Sequence, residues 1–211
     1  MKIIDLSHIL NENATIYPGA VKPKIKLTGS IEKNGYTEHV VTLGTHTGTH
    51  IDAPSHMLIN GKSLDQLPID KFIGKAIVVS CQDKEEIDLA YLQSYEAQIS
   101  KVNFILFFTG WDEKWNTSEY FGDYPTLSPE AAEWLTKFKL DGLGFDVLSV
   151  DKVNVKNPVI HHILLKKEIL IIENLTNLNQ LPDRIFLFHC TPLKIENADG
   201  SPVRAIAIIN E

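Results

Sequence analysis

The chain has 211 residues, 44% of them hydrophobic and 22% charged, and carries a formal net charge of -7. That length fits a single domain, residues 1–211, with a core of ordinary size. The acidic balance, with Lys22, Lys24 and Lys26 isolated and Lys166-Lys167 a lone pair, excludes the basic stripe of a nucleic-acid binder. No run reaches the ~18 consecutive apolar residues of a membrane helix, and Asp5 and His8 interrupt the N-terminus too early for a secretory apolar core. A cytoplasmic protein is expected, with Cys81 and Cys190, each beside an apolar run, as buried free thiols.

In chain order, β-branched and aromatic runs predict strands over Ile3–Leu6, Lys24–Leu27, Glu38–Leu43 and Ala76–Ser80. Asp88 reads as the N-cap of a helix running to about Ile99. Phe104–Thr109 follows as a strand, apolar enough to be buried on both faces. Ser128-Pro129-Glu130 supplies an N-cap, a proline at the first helical position and an acid at the positive dipole end. Ala131, Trp134, Leu135 and Phe138 then form the i, i+3, i+4, i+7 stripe of an amphipathic helix. Gly142–Phe145 is a strand, Pro158–Lys167 a short helix, and Ile169–Glu173, Arg184–Cys190 and Val203–Ile209 the last strands. The whole reads as a mixed α and β domain.

Eight histidines occur in the chain, and three of them, His46, His50 and His56, fall within eleven residues together with Asp52. Gly44, Gly48 and Pro54 are poor helix residues and Thr45, Thr47 and Thr49 are β-branched, which favours an extended backbone. In a strand, His46, Gly48, His50 and Asp52 share one face, with Gly48 leaving room for an ion between the imidazoles. Two imidazoles and a carboxylate suit zinc, manganese or ferrous iron and leave positions for water. A bound ion lowers the pKa of that water toward neutrality, and His56, just beyond Pro54, is placed to shuttle protons. A closed structural zinc site is disfavoured, because such sites are rich in cysteine and neither cysteine is near this segment.

A second constellation lies downstream. Glu173 ends the apolar run Ile169-Leu-Ile-Ile172, where a carboxylate is costly unless paired or metal-bound. His161 or His162 could join it at a second metal position, and spacing alone leaves that choice open.

His46-Thr-Gly-Thr-His50-Ile-Asp52-Ala-Pro54-Ser-His56 resembles the His-x-Gly-Thr-His-x-Asp-x-Pro-x-His signature of the cyclase superfamily, which includes bacterial kynurenine formamidase and isatin hydrolase. The resemblance extends through Asp5-Leu-Ser-His8, Tyr17-Pro18-Gly19, the segment from Gly142 to Asp151, the segment from His161 to Leu175, and Asp199 to Ala207. After Tyr17-Pro-Gly19 many members carry Asp-Pro, where this chain has Ala20-Val21. The resemblance implies an α/β, swivelling β/β/α fold with a mixed central sheet and flanking helices, assembled as a homo-oligomer, a dimer or tetramer. It implies one or two divalent ions, zinc first and manganese as the alternative. His46, His50 and Asp52 would hold the first ion, and Asp52 would bridge to a second held by His161 and Glu173, with His161 preferred to His162. His56 would be the catalytic acid and base. The implied reaction is hydrolysis of a small amide, N-formylkynurenine foremost, with opening of a lactam such as isatin as the alternative. Tyr17 and Trp111 are candidates to stack on an aromatic substrate.

Overall fold

The two segments that are apolar throughout form the middle of the fold, where both faces of a strand are covered. A computed structural model describes residues 1–210. The strands, in chain order, are β1 (Lys2–Asp5), β2 (Lys24–Gly29), β3 (Glu38–Thr42), β4 (His50–Asp52), β5 (Ile73–Ser80), β6 (Glu86–Ile87), β7 (Phe104–Phe108), β8 (Thr126–Leu127), β9 (Gly142–Phe145), β10 (Leu170–Glu173), β11 (Phe186–His189), β12 (Gly200–Pro202) and β13 (Ile206–Ile209). The helices are α1 (Ile31–Asn34), α2 (Leu89–Gln93), α3 (Glu96–Ile99), α4 (Pro129–Leu135) and α5 (Val159–Leu165).

Nine strands make one mixed sheet in the order β1-β13-β11-β5-β7-β9-β10-β4-β12. The steps β5–β7, β7–β9 and β9–β10 are parallel, with helices on the crossovers; the outer pairings are antiparallel. Side chains alternate between two cores, as strand geometry requires. Ile105 and Phe107 join the core under α2, α4 and α5, while Phe104 and Leu106 join the other. That second core also collects Ile4 and Ala207 from one end of the sheet and Ile51 and Ala53 from the other. The sheet therefore curls, and Leu6 and Ser7 reach across to Thr176 and Leu175. This is the expected α/β architecture with a mixed sheet and flanking helices. Both cysteines are buried and free, and no helix among the described residues is long and apolar enough to cross a membrane.

The structure departs from the sequence expectation at several places. The helix expected from Asp88 to Ile99 is two short helices, because the Ser94 hydroxyl folds back onto the Tyr91 carbonyl (2.6 Å), a local bond that competes with helix propagation. The last strand starts at Ile206 rather than Val203: the Ala205 N–H is taken by the Ser7 hydroxyl (2.7 Å), and Val203 bridges to Pro192 instead. Strand β12, at the sheet edge, was not anticipated. Strands β2 and β3 form where strands were expected and pair only with each other, exposing Leu27, Val40 and Val41.

Candidate active site

The extended run expected from His46 to Asp52 is a strand only over its last three residues. The preceding segment turns, and Gly48 sits at φ +64, a left-handed conformation that disfavours residues bearing a Cβ. Its missing side chain does not face an ion either: a Cβ there would meet Leu10 Cδ2 at 2.4 Å. The glycine serves the turn, and the turn brings His46 over the strand face that carries His50 and Asp52. Pro54 then begins a single 3-10 turn that carries His56 back to the same place. The rings of His46 and His56 lie 3.9 Å apart, centroid to centroid.

The second constellation arrives by register. Strand β10 pairs antiparallel with β4, and Glu173 falls opposite His50. Helix α5 presents His161 inward, buried, while His162 lies partly exposed on a different surface beside Lys166. His161, not His162, reaches the cluster.

At the centre is Asp52, 1% exposed. Its Oδ1 lies 2.6 Å from His46 Nδ1 and 3.4 Å from His50 Nε2, and its Oδ2 lies 3.8 Å from His161 Nε2. Glu173 Oε2 is 3.4 Å from His50 Nε2, and Oε1 is 3.6 Å from His161 Nε2. Several of these separations are too long for hydrogen bonds. They suit neighbouring ligands of one ion, which sit roughly 3.4 Å apart when each bond is about 2.0–2.1 Å and the geometry is tetrahedral. Asp52 Oδ2 is buried with no hydrogen-bond partner, an expensive arrangement unless a cation takes it up. The donor set of imidazoles and carboxylates therefore fits a divalent metal.

Each ring that faces the centre is held from behind through its other nitrogen. His46 Nε2 contacts Asp199 Oδ2 (3.0 Å), His50 Nδ1 donates to the Gly48 carbonyl (2.8 Å), and His161 Nδ1 contacts Asp151 Oδ2 (2.7 Å). Outer partners of this kind fix tautomer and ring orientation. Asp199 is also 3.5 Å from His56 Nδ1. A Cβ on Gly200 would lie 2.5 Å from the His46 ring, so only glycine lets the chain pass there. Asp151 and Asp199 were not picked out from the sequence as site residues. Isolated aspartates carry no spacing signal, and their role is set by contacts ten and 153 residues away.

The charges follow from this packing. Burial opposes a proton on His50, but the carboxylates of Asp52 and Glu173 beside its Nε2 outweigh it and raise its pKa to about 10. Burial likewise works against His46 and His161. Asp52 still raises the first, and Asp151, with Glu173, the second. Burial would raise Asp52, yet His46 and His50 hold it well below the usual carboxylate range. His56 moves the other way. Burial lowers it, and although Asp52 pulls upward, the charges of His46 and His161 add to the lowering.

A cavity of about 380 Å³ opens over His46, His50, His56, His161 and Glu173. Its outer wall is largely apolar, with Ile16, Tyr17, Met57, Leu148 and Val155. Tyr17 is at this wall, its hydroxyl accepting from the Asn154 N–H (3.1 Å). Trp111 is not part of it. Its indole donates to the Tyr120 carbonyl (3.0 Å) and packs on Tyr124, so the structure places it in packing contacts away from this wall, where a substrate contact was expected of it.

Fold and site together define a hydrolase with a histidine–carboxylate cradle able to take a divalent ion. Residues 4–152 match the cyclase family, and the chain belongs to that family. It is 33% identical to the kynurenine formamidase of Bacillus cereus over 96% of this chain and 95% of that one. It is 32% identical to the kynurenine formamidase of Geobacillus thermodenitrificans over the same shares. Among solved structures, isatin hydrolase A from Labrenzia aggregata bound to benzyl benzoate superposes with a TM-score of 0.88 at 25% identity, covering 100% of this chain and 94% of that one. A predicted metal-dependent hydrolase from Bacillus stearothermophilus superposes with a TM-score of 0.80 at 24% identity, covering 98% and 97%, a likeness of fold.

Proposed function

We propose that this protein is an arylformamidase that cleaves N-formyl-L-kynurenine to L-kynurenine and formate. The observation that carries the reading is the 33% identity to a kynurenine formamidase across nearly the full length of both chains. The apolar cavity wall, with Tyr17 beside the cradle, suits an aryl amide.

In this reading His46, His50 and Asp52 hold one divalent ion, and Asp52, His161 and Glu173 hold a second. Zinc fits the nitrogen-rich set best, with manganese as the alternative. When bound, the ion supplies Lewis acidity toward water and the formyl carbonyl. His56 does the proton work. Its lowered pKa leaves it unprotonated at neutral pH, and with Nδ1 turned to Asp199, Nε2 is the nitrogen that takes the proton from the attacking water. The same nitrogen returns that proton to the aryl amine as the C–N bond breaks, leaving the free amine and formic acid, which releases its remaining proton to solvent as formate. Tyr17 fixes the aromatic ring. The protein acts in the cytoplasm as a homo-oligomer on a small molecule, without nucleic acid or membrane.

A second reading, opening of a lactam such as isatin, is favoured by the superposition on isatin hydrolase A. The two separate on initial rates with N-formylkynurenine, formanilide and isatin, measured before chelation, after it, and after adding back Zn²⁺ or Mn²⁺. Faster turnover of the formyl amides, lost on chelation and restored by metal, is the expected result. Isatin as the preferred substrate would overturn the formamidase assignment.

A further inference from the structure

The rings of His46 and His161 are held from behind by carboxylates, but that of His50 by a backbone carbonyl, from Gly48. Gly48 stands at φ +64 in a turn outside the sheet ladder. What fixes that carbonyl is Asn174, whose side-chain Nδ2 donates to it (3.1 Å). Asn174 directly follows Glu173 in the chain and is itself left-handed, φ +57. It is 3% exposed, and all four of its polar groups are engaged. Its N–H donates to the Val147 carbonyl (3.1 Å), its carbonyl accepts from the Thr49 hydroxyl (2.6 Å), and its Oδ1 accepts from the Tyr120 hydroxyl (2.9 Å). Tyr120 is fully buried.

We infer that Asn174 is a positioning residue that locks the segment carrying His46, His50 and Asp52 to the strand carrying Glu173, and that Tyr120 sets its amide. A side-chain amide can present oxygen or nitrogen on either side. The Tyr120 hydroxyl, donating into Oδ1, leaves Nδ2 toward Gly48. With the Gly48 carbonyl held, the His50 Nδ1–H has a fixed acceptor, and Nε2 is the nitrogen turned to Asp52 and Glu173. A single buried tyrosine thus governs, through two intermediates, which face of a ligand imidazole meets the cradle. The inference rests on the reading of His50 as a metal ligand. Loss of an outer partner of a metal ligand costs about 10–100-fold in metal affinity.

The test measures Zn²⁺ dissociation constants by competition with a chromophoric chelator, and thermal midpoints of the chelated protein, for wild type, Asn174→Gly, Tyr120→Phe and the double variant. Glycine tolerates the left-handed backbone and keeps the main-chain bonds, so only the amide is lost. Asn174→Gly is expected to weaken Zn²⁺ binding about 10–100-fold, and Tyr120→Phe about tenfold. In the double variant the tyrosine change should add nothing to the asparagine change, because one acts through the other. Zn²⁺ affinities within twofold of wild type in both single variants, with lower midpoints only, would reduce the pair to a packing role and overturn the inference. Additive losses would overturn the relay from Tyr120. Should Asn174→Gly fail to fold, Tyr120→Phe alone decides, by the same two readouts. A wild-type protein that takes up no Zn²⁺ would remove the metal-site reading itself, a failure distinct from the others.

Discussion

The two halves of the cradle are built by opposite means. His46, His50, Asp52 and His56 ride on a short segment with little regular structure: a turn at Gly48, three residues of strand and one 3-10 turn. His161 and Glu173 ride on regular elements, α5 and β10, and face the first group because β10 pairs with β4. Asp151 shows how much of the second half is architecture. Its carboxylate accepts from the backbone N–H groups of Ile160 and His161 (3.1 Å each), capping the start of α5, and also meets His161 Nδ1. In the first half a few backbone torsions place the ligands, and in the second the sheet and helix do. The first group includes His56, the one cradle ring whose pKa is lowered, and is the one equipped for chemistry; the second completes the cradle.

That division is broken or sharpened first at His56. His56→Ala is expected to keep its metal and lose about 10²–10⁴-fold in kcat, measured beside metal content on the same preparation. A metal-loaded His56→Ala enzyme of wild-type activity would take the chemistry away from the first half. Next comes the second half. Asp151→Asn loses the charged partner of His161 and weakens the helix cap, so metal affinity should fall about 10–100-fold, whereas His162→Ala should leave it unchanged. Equal effects of the two substitutions would mean that His161 is not set apart from His162 as the ligand that α5 supplies. Smaller again is Gly48→Ala. A left-handed alanine costs roughly 1–2 kcal/mol, and the new Cβ must also displace Leu10 Cδ2. A drop in thermal midpoint of about 2–8 °C is expected, checked by calorimetry on the chelated protein. No drop would mean that the turn is not what places His46.

The same contrast explains what was legible beforehand. The first half could be read from spacing, because its ligands are near neighbours in sequence. Even there the physical reason was misassigned: Gly48 looked like space for an ion and is a conformational requirement. The buried strands β7 and β10 could be read from continuous apolar runs, and the start of α4 from Ser128, whose hydroxyl does accept from the Ala131 N–H (3.1 Å). The choice between His161 and His162 could not be read from spacing, since neighbouring residues on a helix differ by about 100° of rotation, and only packing says which points inward. Asp151, Asn174 and Asp199 act across the fold, and Trp111 looked like a ligand platform because an aromatic residue carries no local mark of which surface it meets.

The smallest expected effect lies behind the first half, at His8. Its backbone N–H donates to the Thr49 hydroxyl (2.9 Å), and its ring stacks on Trp115 at 4.0 Å with its Nε2 buried and unpartnered. Burial lowers its pKa from 6.5 to about 4, against a weaker upward pull from Asp112. The folded protein therefore prefers His8 neutral, while the unfolded chain takes up a proton near pH 6.5. The stability tied to this group is complete above pH 6.5 and is lost as pH falls from 6.5 toward 4. His46, His50 and His161 run the opposite way in chelated protein, because their raised pKa values favour the folded state at low pH. His8→Phe keeps the stack and removes the titration, so between pH 7 and pH 5 it should lose less stability than wild type, both chelated. Comparing the two proteins cancels the contribution of the cradle histidines. Parallel stability curves over that range would mean that His8 opens to water on protonation, and that the support behind the first half is as loose as the segment it carries.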